Sequence, residues 1–121
     1  MIELLQGFSD NTVAAACKGR VVADDYEKVL LPRVRQALES HDKLRVYLQI
    51  GDDFESVEPG AVWDDIKVGM GHRRSWERIA VVTDVAWIRD AMKVFGFLIP
   101  GAMKVFPVAE MSQAREWIAA P

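Results

Sequence analysis

The sequence has little cysteine, little histidine and no long apolar run. Among its 121 residues there is one cysteine, Cys17, which excludes an internal disulfide and a thiolate metal cage. The two histidines, His41 and His72, stand in no metal-ligand spacing and in no nucleophile motif. No apolar run reaches the ~18 residues of a membrane span, and the first residues lack the basic region of a signal peptide. We therefore expect a cytoplasmic protein without a metal or a cofactor.

The sequence also has no excess of basic over acidic residues. Lysine and arginine together number 15 and aspartate and glutamate 18, so the formal net charge is -3. Domains that bind nucleic acid usually carry a clustered basic excess, and we expect no nucleic-acid partner here. With 50% hydrophobic and 27% charged residues, the composition is that of a globular chain, and its length suits a single domain over residues 1–121.

Four segments have the pattern of strands. In KLRVYLQI apolar residues alternate with others, which predicts a face beneath helices that carries Leu44, Val46, Leu48 and Ile50. Arg45 and Tyr47 are expected on the opposite face. RIAVVTD is apolar on both faces, as in a central strand. NTVAAACKG indicates a strand of small residues, preceded by a short strand in IELLQ.

Helical spacing of apolar residues fills the segments between the strands. DDYEKVLLPRVRQALES predicts a helix that Pro32 should kink, because proline removes a backbone donor and crowds the preceding turn. EPGAVWDDIKVGM and AEMSQAREWIAA predict two further helices. A fourth helix, VAWIRDAMKVFGF, has Asp84 as its expected N-cap.

The pentapeptide AMKVF occurs twice, at residues 91–95 and 102–106. The first copy continues the helical spacing of the residues before it. The second copy is bounded by Gly101 and Pro107, residue types that typically flank a strand. We therefore predict a helix for the first copy and a strand for the second. The resulting order, β-β-α-β-α-β-α-β-α, implies an α/β fold with a mainly parallel sheet.

The chain resembles the STAS family, and in particular its SpoIIAA-like branch. The resemblance spans nearly the whole chain and rests on GRVVADDYEKVLLPRV, WDDIKVGMGH, RIAVVTDVAWI and FPVAEMSQAREWI. It implies a single STAS-like domain with an antiparallel N-terminal edge strand and helices packed chiefly on one face. It also implies two kinds of role: STAS proteins bind a partner kinase or regulator, and the related CRAL-TRIO domains hold lipids in an apolar pocket.

The sequence departs from the family at the phosphorylation motif. Switching members carry Asp-Ser-(Ser/Thr)-Gly after the third strand, where this chain reads GDDFESVEPGA. Ser56 is the only hydroxyl residue in that stretch, and we interpret it as a helix-capping or turn residue, with a regulatory phosphosite as the alternative.

A catalytic set is not recognisable, so we expect no enzyme. The carboxylates between Asp52 and Asp65 do not have the spacing of a calcium loop, and Gly69-x-Gly71 lacks the third glycine of a phosphate loop. In GHRRSWER, Arg73 and Arg74 could bind an anionic headgroup, and the alternative is a solvated loop.

Apolar side chains cover about half the circumference of the helix predicted near residue 90, more than the ~100° stripe that a surface helix needs. The additional apolar side chains could lie in the ordinary core, in a subunit interface or in an apolar pocket. The pocket's predicted wall comprises Trp63, Ile66, Met70, Trp87, Met92, Phe95 and Leu98.

These patterns lead to one main expectation and one alternative. We expect a non-enzymatic domain that reversibly binds an apolar or amphipathic, lipid-like ligand, with peripheral contact to a membrane. The alternative is a STAS-type regulatory module that binds a protein partner through Ser56 and the start of the second helix. A homodimer is expected in either case, since self-association often hides a surplus apolar flank.

Overall fold

The computed structural model describes residues 1–57, 76–95 and 102–121. In these residues five strands form one sheet: β1 (Ile2–Leu4), β2 (Thr12–Val21), β3 (Leu44–Val57), β4 (Trp76–Thr83) and β5 (Ala102–Phe106). They lie in the order β1-β2-β3-β4-β5. β1 pairs antiparallel with β2, and every other neighbouring pair is parallel. The mainly parallel sheet with an antiparallel N-terminal edge strand is thereby confirmed.

The described helices are α1 (Leu31–Ser40), α2 (Ala86–Phe95) and α3 (Met111–Ala119). A turn of α-helix at Ala23–Asp25 and a π-helical turn at Tyr26–Leu30 precede α1, and a 3-10 turn at Val108–Glu110 precedes α3. The helix predicted within residues 58–70 lies outside the described residues.

Pro32 lies inside a helical segment that runs from Ala23 to Ser40, as the sequence predicts, and regular α-helix is interrupted directly before it by the π-helical turn. Proline lacks the N–H that a regular α-helix bonds to the carbonyl four residues earlier, and a π-turn is a known way for a helix to absorb such an irregularity. Pro32 therefore stands where the wider π-turn gives way to regular α-helix.

The front face of the sheet is covered by α1 and α2. Its core contains Leu44 and Ile50 of β3, packed with Val34 of α1 and Ile88 of α2. Val46 and Leu48 lie against the same layer, which confirms the predicted alternation of β3. Parallel strands in sequential order, joined by crossovers of one hand, place their helices on a single face.

The back face is covered by α3. Tyr47 of β3 is fully buried there, at 0% exposure, and packs in one cluster with Ala114 and Ile118 of α3. Phe8 stacks against Tyr47 with ring centroids 5.0 Å apart. The sequence pattern predicts no covering element for the face of β3 that carries Tyr47. In the structure this face and α3 form a second hydrophobic layer.

Both copies of AMKVF adopt the predicted structures: the first ends α2 and the second is β5. The N-cap assignment is wrong, because α2 begins at Ala86 and not directly after Asp84. Asp84 Oδ1 instead accepts a hydrogen bond from the backbone N–H of Val108, at 3.1 Å. This bond ties the end of β4 to the segment that follows β5.

Two arginines on neighbouring strands hold the C-terminal end of α3. Arg45 of β3 and Arg78 of β4 are register partners. Arg45 Nη1 donates to the carbonyl oxygens of Ile118, at 2.8 Å, and Ala120. Arg78 Nη1 donates to the carbonyl oxygens of Trp117 and Ala120, at 2.9 and 2.8 Å. We call this arrangement the arginine clamp.

The arginine clamp satisfies groups that a helix cannot satisfy by itself. The last carbonyls of an α-helix lack intrahelical partners and carry the negative end of the helix dipole, which cations stabilise. Arg45 is neutralised by Glu77, whose Oε1 accepts from its Nη2 at 2.6 Å. The guanidinium of Arg78 also lies over the ring of Trp117, 5.5 Å from the centroid. The C-terminal end of α3 is thus docked on the sheet by charge as well as by apolar contact.

We predict that Arg78→Met destabilises the fold by about 1.5–3 kcal/mol, because hydrogen bonds from a charged donor are lost at buried or half-buried carbonyls. Arg35→Met on the exposed side of α1 is the matched control and should change stability by less than about 0.5 kcal/mol. Urea unfolding measures both variants. In hydrogen exchange, Arg78→Met should lose protection first in residues 108–121. Equal stabilities would contradict the role assigned to the clamp.

Asp25 caps the start of the helical segment. Its Oδ2 accepts a hydrogen bond from the backbone N–H of Val22, at 3.0 Å, and lies 3.4 Å from the N-terminal ammonium of Met1. The bond from Val22 lowers the pKa of Asp25 below its ordinary value of 3.8, the ammonium lowers it further, and partial desolvation opposes both. A carboxyl whose folded pKa is depressed stabilises the fold above its unfolded pKa and loses that contribution as pH falls.

We therefore expect Asp25→Ala to cost about 1 kcal/mol at neutral pH, the usual loss for a capping group. The difference from wild type should shrink as pH falls below 3.8 toward the lowered folded pKa. Urea midpoints measured along a pH series check this, with Asp24→Ala as the control, since Asp24 is exposed and pairs with the exposed Lys28. A difference that does not depend on pH would rule out the capping carboxylate as its cause.

Candidate functional site

Most residues of the predicted apolar pocket lie outside the described part of the chain. These are Trp63, Ile66, Met70 and Leu98, together with the predicted headgroup residues Arg73 and Arg74. Phe95 is the last residue of α2, and its side chain is likewise outside the described set. The pocket therefore stays a prediction, and α2 contributes the described members, Trp87 and Met92.

The described side chains of α2 separate into a core side and a free side. Ile88 is 3% exposed, and Met92 is partly buried against the same front-face core. Trp87 is 53% exposed; among the described residues, Met1 is the other large apolar side chain classed as exposed. One helical residue corresponds to about 100° of rotation, so Trp87 and Ile88 point in nearly perpendicular directions. Packing against the front-face core accounts for the burial of Ile88 and Met92, whereas the side chain of Trp87 faces solvent.

Exposed carboxylates lie at the carboxyl edge of the sheet, where β4 leads into α2 and Trp87. The pairing of Ile50 with Thr83 shows that β3 and β4 reach this edge together. Beyond that pair, β3 continues into Asp52, Asp53 and Glu55, and Asp84 follows β4. Asp90 is three residues after Trp87 on α2, on an adjoining part of the helix surface. All of these side chains are exposed: Asp52, Asp53, Glu55, Asp84 and Asp90. We call them the acidic edge.

The described cations beside the acidic edge include those of α2, where Lys93 is exposed three residues after Asp90. None of its carboxylates forms an ion pair with another described residue. Arg89, the neighbouring cation of α2, donates to the backbone oxygen of Thr83, at 3.0 Å. Over residues 1–57, 76–95 and 102–121, no group of three His, Cys, Asp or Glu side chains could hold a metal ion. The carboxylates are thus spread over a surface and do not converge on one point.

Ser56 lies in a strand and not at a helix start, so its interpretation as a cap or turn residue is wrong. It is exposed near the end of β3 and pairs in register with Arg20 of β2. β3 is longer than the sequence pattern indicates because β2 also continues, after an irregularity at Gly19, and supplies partners as far as Val57. Ser56 nevertheless lies near the acidic edge, where a modifying enzyme would have access to it.

A polar depression of about 400 Å³ lies at the opposite, amino edge of the sheet, lined by Asp10, Arg33, Gln36, Ala37, Ser40 and His41. Arg33 in this depression already makes hydrogen bonds within the protein, because its Nη2 donates to the backbone oxygens of Asp10 and Thr12, at 3.1 and 3.3 Å. His41 is the C-cap residue of α1. The depression is open and polar, which does not match the predicted apolar pocket.

Sequence reasoning identified Trp87 but not the charges around it. The parallel pairing of β3 with β4 is the signal that places the carboxylates of residues 52–55 at the edge of the sheet where α2 begins. Within the described residues, no helix has the length and apolarity needed to cross a membrane. Trp87 with the acidic edge is the candidate recognition surface considered below.

We predict that Trp87→Ala changes the free energy of unfolding by less than about 0.5 kcal/mol, because an exposed side chain makes few core contacts. Ile88→Ala, one residue further on, should cost about 2–5 kcal/mol through the cavity it leaves in the front-face core. Urea unfolding of the two variants provides the comparison. A large loss for Trp87→Ala would show that Trp87 belongs to the core.

Comparison with known proteins agrees with this architecture. Residues 12–119 match the family model described as SpoIIAA-like. A crystal structure of an uncharacterised protein of the DUF3478 family with a SpoIIAA-like fold, from Shewanella loihica PV-4, superposes with a TM-score of 0.75 at 22% identity. The match covers 98% of this chain and 92% of that one. No curated protein matches the sequence. The family match spans nearly all of the sheet and helices described above, and the chain belongs to the SpoIIAA-like family of STAS domains.

Proposed function

We propose that this SpoIIAA-like domain is a non-enzymatic, cytoplasmic interaction module that binds a regulatory protein partner through the surface centred on Trp87. The family's fold supports a regulatory or interaction role in general. The observation that carries the proposal is the 53% exposure of Trp87 on a helix whose neighbouring large apolar side chains, Ile88 and Met92, pack into or against the core.

Trp87 has the properties of an interface anchor. Tryptophan is enriched among the residues that contribute most to binding free energy, because a large rigid ring buries much surface at little cost in side-chain entropy. Ile88 and Met92 fix α2 against the sheet, so the ring is presented by a rigid element. This surface replaces the start of the second helix as the contact site of the regulatory alternative, and Ser56 is kept as a candidate modification site beside it.

We expect Trp87→Ala to remove the partner without unfolding the domain. Tagged wild type, Trp87→Ala and the control Lys93→Ala, an exposed change elsewhere on α2, are compared by quantitative affinity purification and then with the purified partner. Binding should weaken by roughly 30-fold or more in Trp87→Ala, the effect of losing an interface hot spot, and stay unchanged in Lys93→Ala. Identical partners and affinities for all three proteins would contradict the proposal.

A lipid-like ligand is the second candidate function. Its support is the same exposed ring, since tryptophan favours the interface between a membrane and water, together with the apolar wall predicted from the sequence. Native mass spectrometry of the purified protein would report a copurified amphipathic molecule and the proposed homodimer in one measurement. A monomer without a ligand, combined with partner binding that depends on Trp87, favours the protein-interaction role.

A further inference from the structure

We infer that the segment docking on Trp87 is basic, rich in lysine or arginine; this inference rests on the proposed function and names the chemistry of the partner. The occupant of an exposed aromatic ring is decided by the charges that surround the ring. Asp84 and Asp90 each lie three residues from Trp87 in the chain, and Asp52, Asp53 and Glu55 continue the neighbouring strand beyond its pairing with Thr83.

Two physical effects favour a cation at this surface. Carboxylates of one sign at the margin of an interface speed the encounter with an oppositely charged partner and disfavour partners of the same charge. The face of a tryptophan ring also attracts ammonium and guanidinium groups. The chain already shows this contact elsewhere, where Arg78 and Lys104 lie 5.5 and 5.2 Å from the ring centroid of Trp117.

Other occupants fit the described surface less well. A metal ion needs converging ligands, and no such group is found among residues 1–57, 76–95 and 102–121. A second copy of this chain carries the same net charge of -3 and would bring one acidic edge against another if the contact were two-fold symmetric. An anionic membrane would be repelled by the same carboxylates. A basic peptide segment can both contact the ring of Trp87 and pair with the carboxylates of the acidic edge.

The experiment selects peptides of about 15 residues from a displayed random library against the wild-type protein and measures the affinity of the enriched peptides. Each is tested against Trp87→Ala, against the edge variant Asp52→Lys/Asp90→Lys, and against the control Glu39→Lys/Asp42→Lys. The control makes the same change in net charge at exposed positions away from the acidic edge. Asp84 is left intact because it bonds to Val108. Circular dichroism confirms that every variant is folded.

We expect the enriched peptides to be rich in lysine or arginine. Their affinity should fall by roughly ten-fold or more in Trp87→Ala and in the edge variant, should change little in the control, and should decrease as salt rises. Peptides without basic residues that require Trp87 but ignore the edge variant would overturn this inference and leave the proposed function standing. Peptides indifferent to Trp87, or no binder, would overturn both. Trp87-dependent binding to phosphatidylglycerol vesicles would overturn the basic partner in favour of a membrane.

Discussion

The back half of the molecule depends on the contact between two arginines and the carbonyl end of α3. The sequential parallel strands place α1 and α2 on the front face, so another element must cover the back. α3 does so, and Arg45 and Arg78 donate hydrogen bonds to carbonyls of its last turn. Tyr47, fully buried beneath α3, is shielded from water through this docking. The arginine clamp therefore holds α3 on the back face of the sheet.

The same architecture determines what is left for recognition. α2 connects β4 to β5 and must pack on the front face, which commits Ile88 and Met92 to the core. Trp87 is turned away from that core by the rotation of the helix, and the carboxyl ends of β3 and β4 meet at the edge of the sheet where α2 begins. This arrangement leaves one exposed aromatic side chain for the proposed binding role.

Membership of the SpoIIAA-like family supports a regulatory or interaction role and leaves the partner open. The similar structure from Shewanella loihica PV-4 shares 22% identity, and the likeness shows the fold alone. The choice between candidate partners depends on individual residues of this chain. The family's phosphorylation motif is replaced, Ser56 lies in β3, and acidic residues precede Ser56 in the same strand. The protein-interaction role is therefore argued from Trp87 and its surroundings and not from the fold.

The sequence by itself determined the order of elements and the packing of β3, because a period of two residues leaves one choice of buried face. It also determined the different structures of the two AMKVF copies, since glycine and proline bound the second. Tertiary structure alone decided the rest. Asp84 bonds to Val108 across two elements, Ser56 became part of a strand because β2 supplied a partner, and Arg45 met Arg78 through strand register. Such contacts join residues far apart in the chain, and no local periodicity encodes them.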